Sequence, residues 1–178
     1  SALTEVRISD SVESINSDAF YNCTALESVY IGESVKTIGA SAFSNCTALT
    51  EIQFNAVLMN DLVSNNSVFY NAGINGEGIA VTIGSGVTKI PAYLFYSTTN
   101  STSYLPKITT VVFENGSVCE SIGSYAFYDC SSLTAITIPE GVTSIGDYAF
   151  TGCSSLTAIN IPENSQLTSI GDYAFALC

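Results

Sequence analysis

Residues 133–153, LTAITIPEGVTSIGDYAFTGC, carry the pattern on which the rest of the chain is built. The segment Ile122 to Cys130 (IGSYAFYDC) matches Ile145 to Cys153 (IGDYAFTGC) at a separation of 23, and Ile170 to Phe175 repeats it after 25. The same phrase stands near the start as Ile15 to Cys23 and Ile38 to Cys46, with Ala19-Phe20 and Ala42-Phe43 at its centre. Two degraded copies lie between, at Val68 to Ala72 and at Ile90 followed by Leu94-Phe95. The interval from Phe95 to Phe127 stretches to 32, and its surplus falls in the Ser/Thr/Asn-rich stretch 96–106, which reads as a loop bulging from one turn. A fixed period of this length marks a solenoid, here of about seven 23-residue units.

Stacking the copies gives columns of one chemistry each. Leu3, Leu26, Leu49, Ile108, Leu133 and Leu156 open the unit. Three residues on come Val6, Val29, Ile52, Val111, Ile136 and Ile159, and two further Ile8, Ile31, Phe54, Phe113, Ile138 and Ile161. That last spacing, rich in β-branched residues, predicts a short strand with one face buried. Val12, Val35, Val87, Cys119, Val142 and Leu167 precede Ile15, Ile38, Ile90, Ile122, Ile145 and Ile170, which fits a second extended segment closed by Gly39, Gly123, Gly146 and Gly171. The Asp/Ser-Tyr-Ala-Phe stretch shows no alternation, and a small Ala beside a large Phe is expected to form a tight helical turn packed inward. One unit cannot bury these columns alone, so neighbouring coils must stack, with successive strands in a parallel sheet at about 4.8 Å spacing.

The phrase Leu-x-x-Ile-x-Ile-Pro, then Val-x-x-Ile-Gly-x-x-Ala-Phe-x-x-Cys, resembles the BspA-type leucine-rich repeat family, and Leu133 to Cys153 carries every signature position in order. The resemblance covers nearly the whole chain and weakens between about residues 55 and 110, where the Leu and Cys columns lapse and Ala72 and Thr98 replace cysteine. It implies an α/β-type leucine-rich repeat solenoid over residues 1–178, a right-handed coil of short parallel strands with short helical turns. It also implies a cell-surface or secreted protein that adheres to proteins or glycans of host or microbial surfaces. The chain stops at Cys178, inside a unit, and is expected to be a fragment of a longer protein.

Composition narrows the chemistry. Sixteen Asp and Glu against Arg7, Lys36, Lys89 and Lys107 give a formal net charge of −12, a surface that repels phosphate backbones and anionic membranes. No apolar run reaches the roughly 20 residues that span a bilayer. Ser1 to Glu5 contains neither a basic nor an apolar stretch and reads as no signal peptide. Histidine is absent, which removes the commonest general base and transition-metal ligand, so neither an enzyme nor a cofactor is expected. A carboxylate-based hydrolase is the catalytic alternative, but it needs two opposed carboxylates in a cleft. Cys23, Cys46, Cys130, Cys153 and Cys178 share one column and Cys119 another; without CxxC spacing they read as buried thiols filling the core. Asp18, Asp147 and Asp172 read as a recurring carboxylate column that caps the turns.

The partner surface expected of a solenoid is its concave strand face. Its outward row is Arg7, Tyr30, Gln53, Thr82, Val112, Thr137 and Asn160, flanked by Glu5 and Glu51 at one end and by Ala135 and Ala158 at the other. Arg and aromatic side chains carry most interface energy, so Tyr30 is the expected anchor. A second candidate is the set Tyr125, Tyr148 and Tyr173, joined by Tyr21, Tyr70, Tyr96 and Tyr128, which forms either an exposed ridge or a structural stack. The alternative to a binding module is a spacer that displays another domain.

Overall fold

A computed structural model describes residues 2–96 and 105–178. Most of the loop expected at 96–106, together with Thr98, lies outside the described residues. Each coil contributes a longer strand and, in most coils, a two-residue strand. The longer ones are β1 (Glu5–Ile8), β3 (Ser28–Ile31), β5 (Glu51–Phe54), β6 (Ile79–Ile83), β8 (Ile108–Phe113), β10 (Ala135–Thr137) and β12 (Ala158–Asn160). The short ones are β2 (Ser14–Ile15), β4 (Thr37–Ile38), β7 (Lys89–Ile90), β9 (Ser121–Ile122), β11 (Ser144–Ile145) and β13 (Ser169–Ile170). All ladders are parallel and join one coil to the next, with Val6 against Val29 and Val29 against Ile52. Among the described residues the one register shift falls between β6 and β8, where Ile79 pairs with Ile108 but Ala80 with Thr110, leaving Thr109 as the extra residue.

The alternation expected for the strands holds. Val29, Ile31, Ile52, Phe54, Val81 and Ile83 point into the core while their neighbours are half-buried or exposed. Burial depends on the neighbouring coil: Ile136, Ile138 and Ile145 are buried, whereas Ile159, Ile161 and Ile170, in the same columns one coil later, are exposed. The core is organised around a file of phenylalanines. Phe20, Phe43, Phe69, Phe95, Phe127, Phe150 and Phe175 stack in sequence with ring centroids 5.1 to 5.4 Å apart. Phe69 and Phe95, from the degraded copies, keep their places, and the 32-residue interval spans a single step of the file.

The helical turns expected at Tyr-Ala-Phe are not helices. The residue before Ala and the residue four further on both have positive φ: Asp18 and Asn22, Ser41 and Asn45, Tyr125 and Asp129, Tyr148 and Gly152. Left-handed residues at that spacing interrupt an i to i−4 ladder. The N–H groups then alternate in direction. Those of Tyr148, Phe150 and Gly152 donate to Asp172, Ala174 and Ala176 of the next coil, while those of Ala149, Thr151 and Cys153 close turns onto Gly146, Tyr148 and Phe150. These bonds also correct the carboxylate column. Asp18 N donates to Ala40 O as Tyr148 N donates to Asp172 O, so Asp18 occupies the tyrosine position and lies one place off Asp147 and Asp172.

Glycine closes the second extended segment because the coils touch there. A Cβ on Gly146 would stand 2.5 Å from Ser124 N, and one on Gly123 would stand 2.4 Å from Ala92 N. Coil three, where no short strand forms, is tied in by a side chain. Asp61 Oδ1 accepts from Ala92 N at 2.9 Å and from Lys89 Nζ at 3.0 Å. All six cysteines are free. Cys46 Sγ donates to Phe20 O, Cys153 Sγ to Phe127 O and Cys178 Sγ to Phe150 O, each at 3.3 Å, so this column hydrogen-bonds along the stack and does not cross-link it.

Candidate functional site

The ladder register sets Arg7, Tyr30, Gln53, Thr82 and Val112 side by side across β1, β3, β5, β6 and β8. Thr137 and Asn160 pair with each other on β10 and β12, in a separate sheet. The expected row of seven is therefore a row of five and a row of two. Val112, at 51% exposure, marks where the first ends.

At the N-terminal end of the row the side chains form an ordered group. The Arg7 guanidinium lies 3.6 Å from the centre of the Tyr30 ring, a cation–π contact that fixes both side chains. Gln53 Nε2 donates to Asn55 Oδ1 and to Glu114 Oε1, both at 3.1 Å, and Glu114 Oε2 accepts from Ser85 N at 3.0 Å. Glu5, Arg7, Tyr30, Glu51, Gln53 and Glu114 line an open cavity of about 480 Å³. Three carboxylates and one guanidinium thus line it, a balance that favours a partner offering hydrogen-bond donors or positive charge.

Glu114 and Asn55 were not among the residues singled out from the sequence. They follow the last strand residue of their coils, where column reading stops. The coil between them carries Gly84 at that place, and a Cβ there would lie 2.2 Å from Asn55 Oδ1. The missing side chain leaves Glu114 room to reach Gln53 across an intervening coil. That glycine between two polar residues was the available signal.

A second cavity, an open groove of about 530 Å³, is lined by β8, β10 and the turns that follow them. These strands are neighbours along the stack, yet no ladder joins them among the described residues. Elsewhere the residue after the strand donates to the preceding coil: Asn55 N to Ile31 O, Gly84 N to Phe54 O, Glu114 N to Ile83 O. The equivalent residue of the next coil, two places after β10, is Pro139, which has no N–H to give to Phe113 O; Pro162 stands at the same place one coil on, where β10 and β12 do pair.

The tyrosines form a separate group. Tyr93, Tyr125, Tyr148 and Tyr173 stack with centroids 4.8 to 5.1 Å apart, and Tyr96 and Tyr128 lean against them. Stacking occupies the ring faces of the interior members, whereas Tyr173 is 64% exposed. Burial first, then neighbouring phenols, raise the Tyr125 hydroxyl above its ordinary range. Among the described residues no group of three or more His, Cys, Asp or Glu is placed to hold a metal ion.

A family model described as BspA type leucine rich repeat region matches residues 1–102 and 102–178, in six copies. A leucine-rich repeat protein from Bacteroides ovatus ATCC 8483 is similar in structure, with a TM-score of 0.55 and 26% identity over 99% of this chain and 47% of that one. A leucine rich cell surface protein from Faecalibacterium prausnitzii A2-165 matches at a TM-score of 0.43 and 25% identity, over 97% of this chain and 58% of that one. The chain thus spans about half the length of these solved structures. No curated protein matches the sequence.

Proposed function

We propose, on the premise that the chain belongs to the BspA-type leucine-rich repeat family, that it is a surface-displayed scaffold which binds a protein or glycan of a host or microbial surface and catalyses nothing. The observation that carries this reading is the ordered group on the long-strand face. Arg7 and Tyr30 hold each other, Gln53 is held by Glu114, and the cavity above them stays open. Side chains fixed before binding lose less entropy on binding, and aromatic and Arg anchors are the usual hot spots.

The test is binding of the chain to arrays of matrix proteins and glycans, beside Tyr30→Ala. A bound component should lose affinity by about 2 kcal/mol in the variant, the size of a hot-spot truncation. Loss of binding in Glu114→Gln as well would assign the acidic rim to the same contact. Absence of binding to every component would reject this reading in favour of a spacer. The spacer reading draws on β10 and β12, whose outward residues Ala135, Thr137, Ala158 and Asn160 are small and uncharged.

A further inference from the structure

The chain contains two Asn-Gly pairs, Asn75-Gly76 and Asn115-Gly116. A glycine after asparagine leaves the next backbone nitrogen unscreened by a Cβ, so that nitrogen can approach the side-chain amide carbon. Both asparagines are exposed, so their bonding and not solvent access separates them. Asn75 is held twice by one residue: its N donates to Thr47 O at 3.0 Å and its Nδ2 to Thr47 Oγ1 at 2.9 Å. The following peptide is tied as well, since Gly76 O accepts from Lys107 Nζ at 2.8 Å.

Asn115 stands at the tip of a turn closed by Ser117 N, which donates to Glu114 O at 3.2 Å. Gly116, the third residue of that turn, has φ of 75°, the mark of type II. The turn is pinned only at its flanks, where Glu114 N donates to Ile83 O and Val118 N to Ser85 O. Among the described residues nothing bonds to the Asn115 side chain or to either group of the Asn115–Gly116 peptide. A Cβ placed on Gly116 would meet no atom within 4 Å. This peptide is free to rotate until its nitrogen faces the Asn115 amide carbon.

We propose that Asn115 is a site of spontaneous deamidation, and that the fold protects Asn75 from the same reaction. Gly116 N bonds to Asn115 Cγ as the Cγ–Nδ2 bond breaks, and the amide nitrogen leaves as ammonia with the Gly116 amide proton. Water then opens the five-membered imide. Cleavage at Cγ restores the ordinary main chain with an aspartate side chain, whereas cleavage at the main-chain carbonyl leaves isoaspartate and one more methylene in the backbone. Nothing is oxidised or reduced, and water is the sole co-reactant. Either product adds a carboxylate to the groove lined by Glu114 and Glu140. The isoaspartate also lengthens the chain beside Glu114, whose Oε1 holds Gln53 at 3.1 Å. The long-strand face thus grows more acidic at one place as the protein ages, whether or not that face binds a partner.

The test is incubation of the intact chain at mildly alkaline pH, with peptide mapping by mass spectrometry and enzymatic methylation of isoaspartate as readouts. Asn115 should convert at least about tenfold faster than Asn75, a difference of about 1.4 kcal/mol in barrier. In urea strong enough to unfold the chain the two rates should converge, because the bonds to Thr47 are gone. Thr47→Val should raise the rate at Asn75 and leave Asn115 unchanged, and Asn115→Gln should remove most of the isoaspartate formed by the folded chain. Thermal unfolding identifies a variant that fails to fold, and the comparison with urea needs only the unaltered chain. Conversion of Asn115 no faster than that of Asn75 in the folded protein would overturn the proposal. A ratio that persists unchanged in urea would overturn it too, since the difference would then lie in local sequence and not in the fold.

Discussion

Tyr148 holds a backbone conformation that tyrosine seldom adopts, with φ of 56°, and Tyr93, Tyr125 and Tyr173 do the same. The left-handed region costs an L-residue about 1–2 kcal/mol, because its Cβ crowds the following carbonyl. Stacking against Tyr125 at 4.8 Å and Tyr173 at 5.1 Å offsets that cost, at about 0.5–1.5 kcal/mol per pair. Replacing the ring should therefore reverse the usual preference for Ala over Gly. Both Tyr148→Ala and Tyr148→Gly should be less stable than the parent, but the Gly variant should exceed the Ala variant by about 1 kcal/mol in urea unfolding. An Ala variant equal to or above the Gly variant would deny that φ governs this position. Four residues on, the chain meets the same demand with Asn22, Asn45, Asn71, Asp129 and Gly152, and departs from these residue types only at Leu177 in the last coil described. Asn, Asp and Gly are the residues that tolerate left-handed φ most readily, so that column announced a turn in the sequence. The tyrosine column hid the same demand behind a residue with no such preference. The sequence therefore predicts a helical turn there and places Asp18 one column off.

At the level of elements, the strands were readable because each presents an apolar residue at every second place. The two devices that replace regular pairing were not, since each is a single side chain acting on another coil. Pro139 withholds one N–H where the long-strand ladder stops, although Pro162 at the same place one coil on leaves β10 and β12 paired, while Asp61 supplies an acceptor where coil three has no short strand. Partial burial pushes the Asp61 carboxyl up, but the Ala92 N–H and the Lys89 ammonium outweigh it and hold the group below its ordinary range. A carboxyl depressed in the fold stabilises it above the unfolded value and loses that contribution as pH falls through the folded one. Asp61→Ala should cost about 1–2 kcal/mol at neutral pH, since it leaves the Ala92 N–H without its acceptor. The difference between variant and parent should shrink in unfolding curves taken at progressively lower pH below about 4. A difference that stays constant with pH would show that the carboxylate charge contributes nothing. The binding row was legible as far as its outward columns went. The Gln53–Glu114 contact and the break after Val112 were not, because both depend on what lies between coils.

Across the whole molecule the buried thiols add a response to alkali. Burial pushes Cys46 and Cys153 up to about 12 and Cys119 up to about 11, and carries Cys130 well above its ordinary range. An acid whose pKa is raised by folding contributes stability in full below the unfolded value, and that contribution is lost as pH rises from there through the folded value. Urea midpoints should hold near neutrality and decline from about pH 9 upward, less steeply in Cys46→Ala/Cys153→Ala. Alkylation of these four thiols at pH 8 should follow global unfolding and not precede it. A flat alkaline limb, or rapid labelling in the folded state, would contradict this placement of the sulfurs. The phenylalanine file and the short-strand ladder β7–β9–β11–β13 both cross the junction at which the long-strand ladder stops. Mechanically, this makes the junction a hinge sewn along one side. It yields to a moment that spreads the long-strand face and resists one that spreads the opposite face, so stiffness in bending has a direction there. A force applied to the two ends of the chain should therefore open the molecule at this seam, on this side, before any coil unravels.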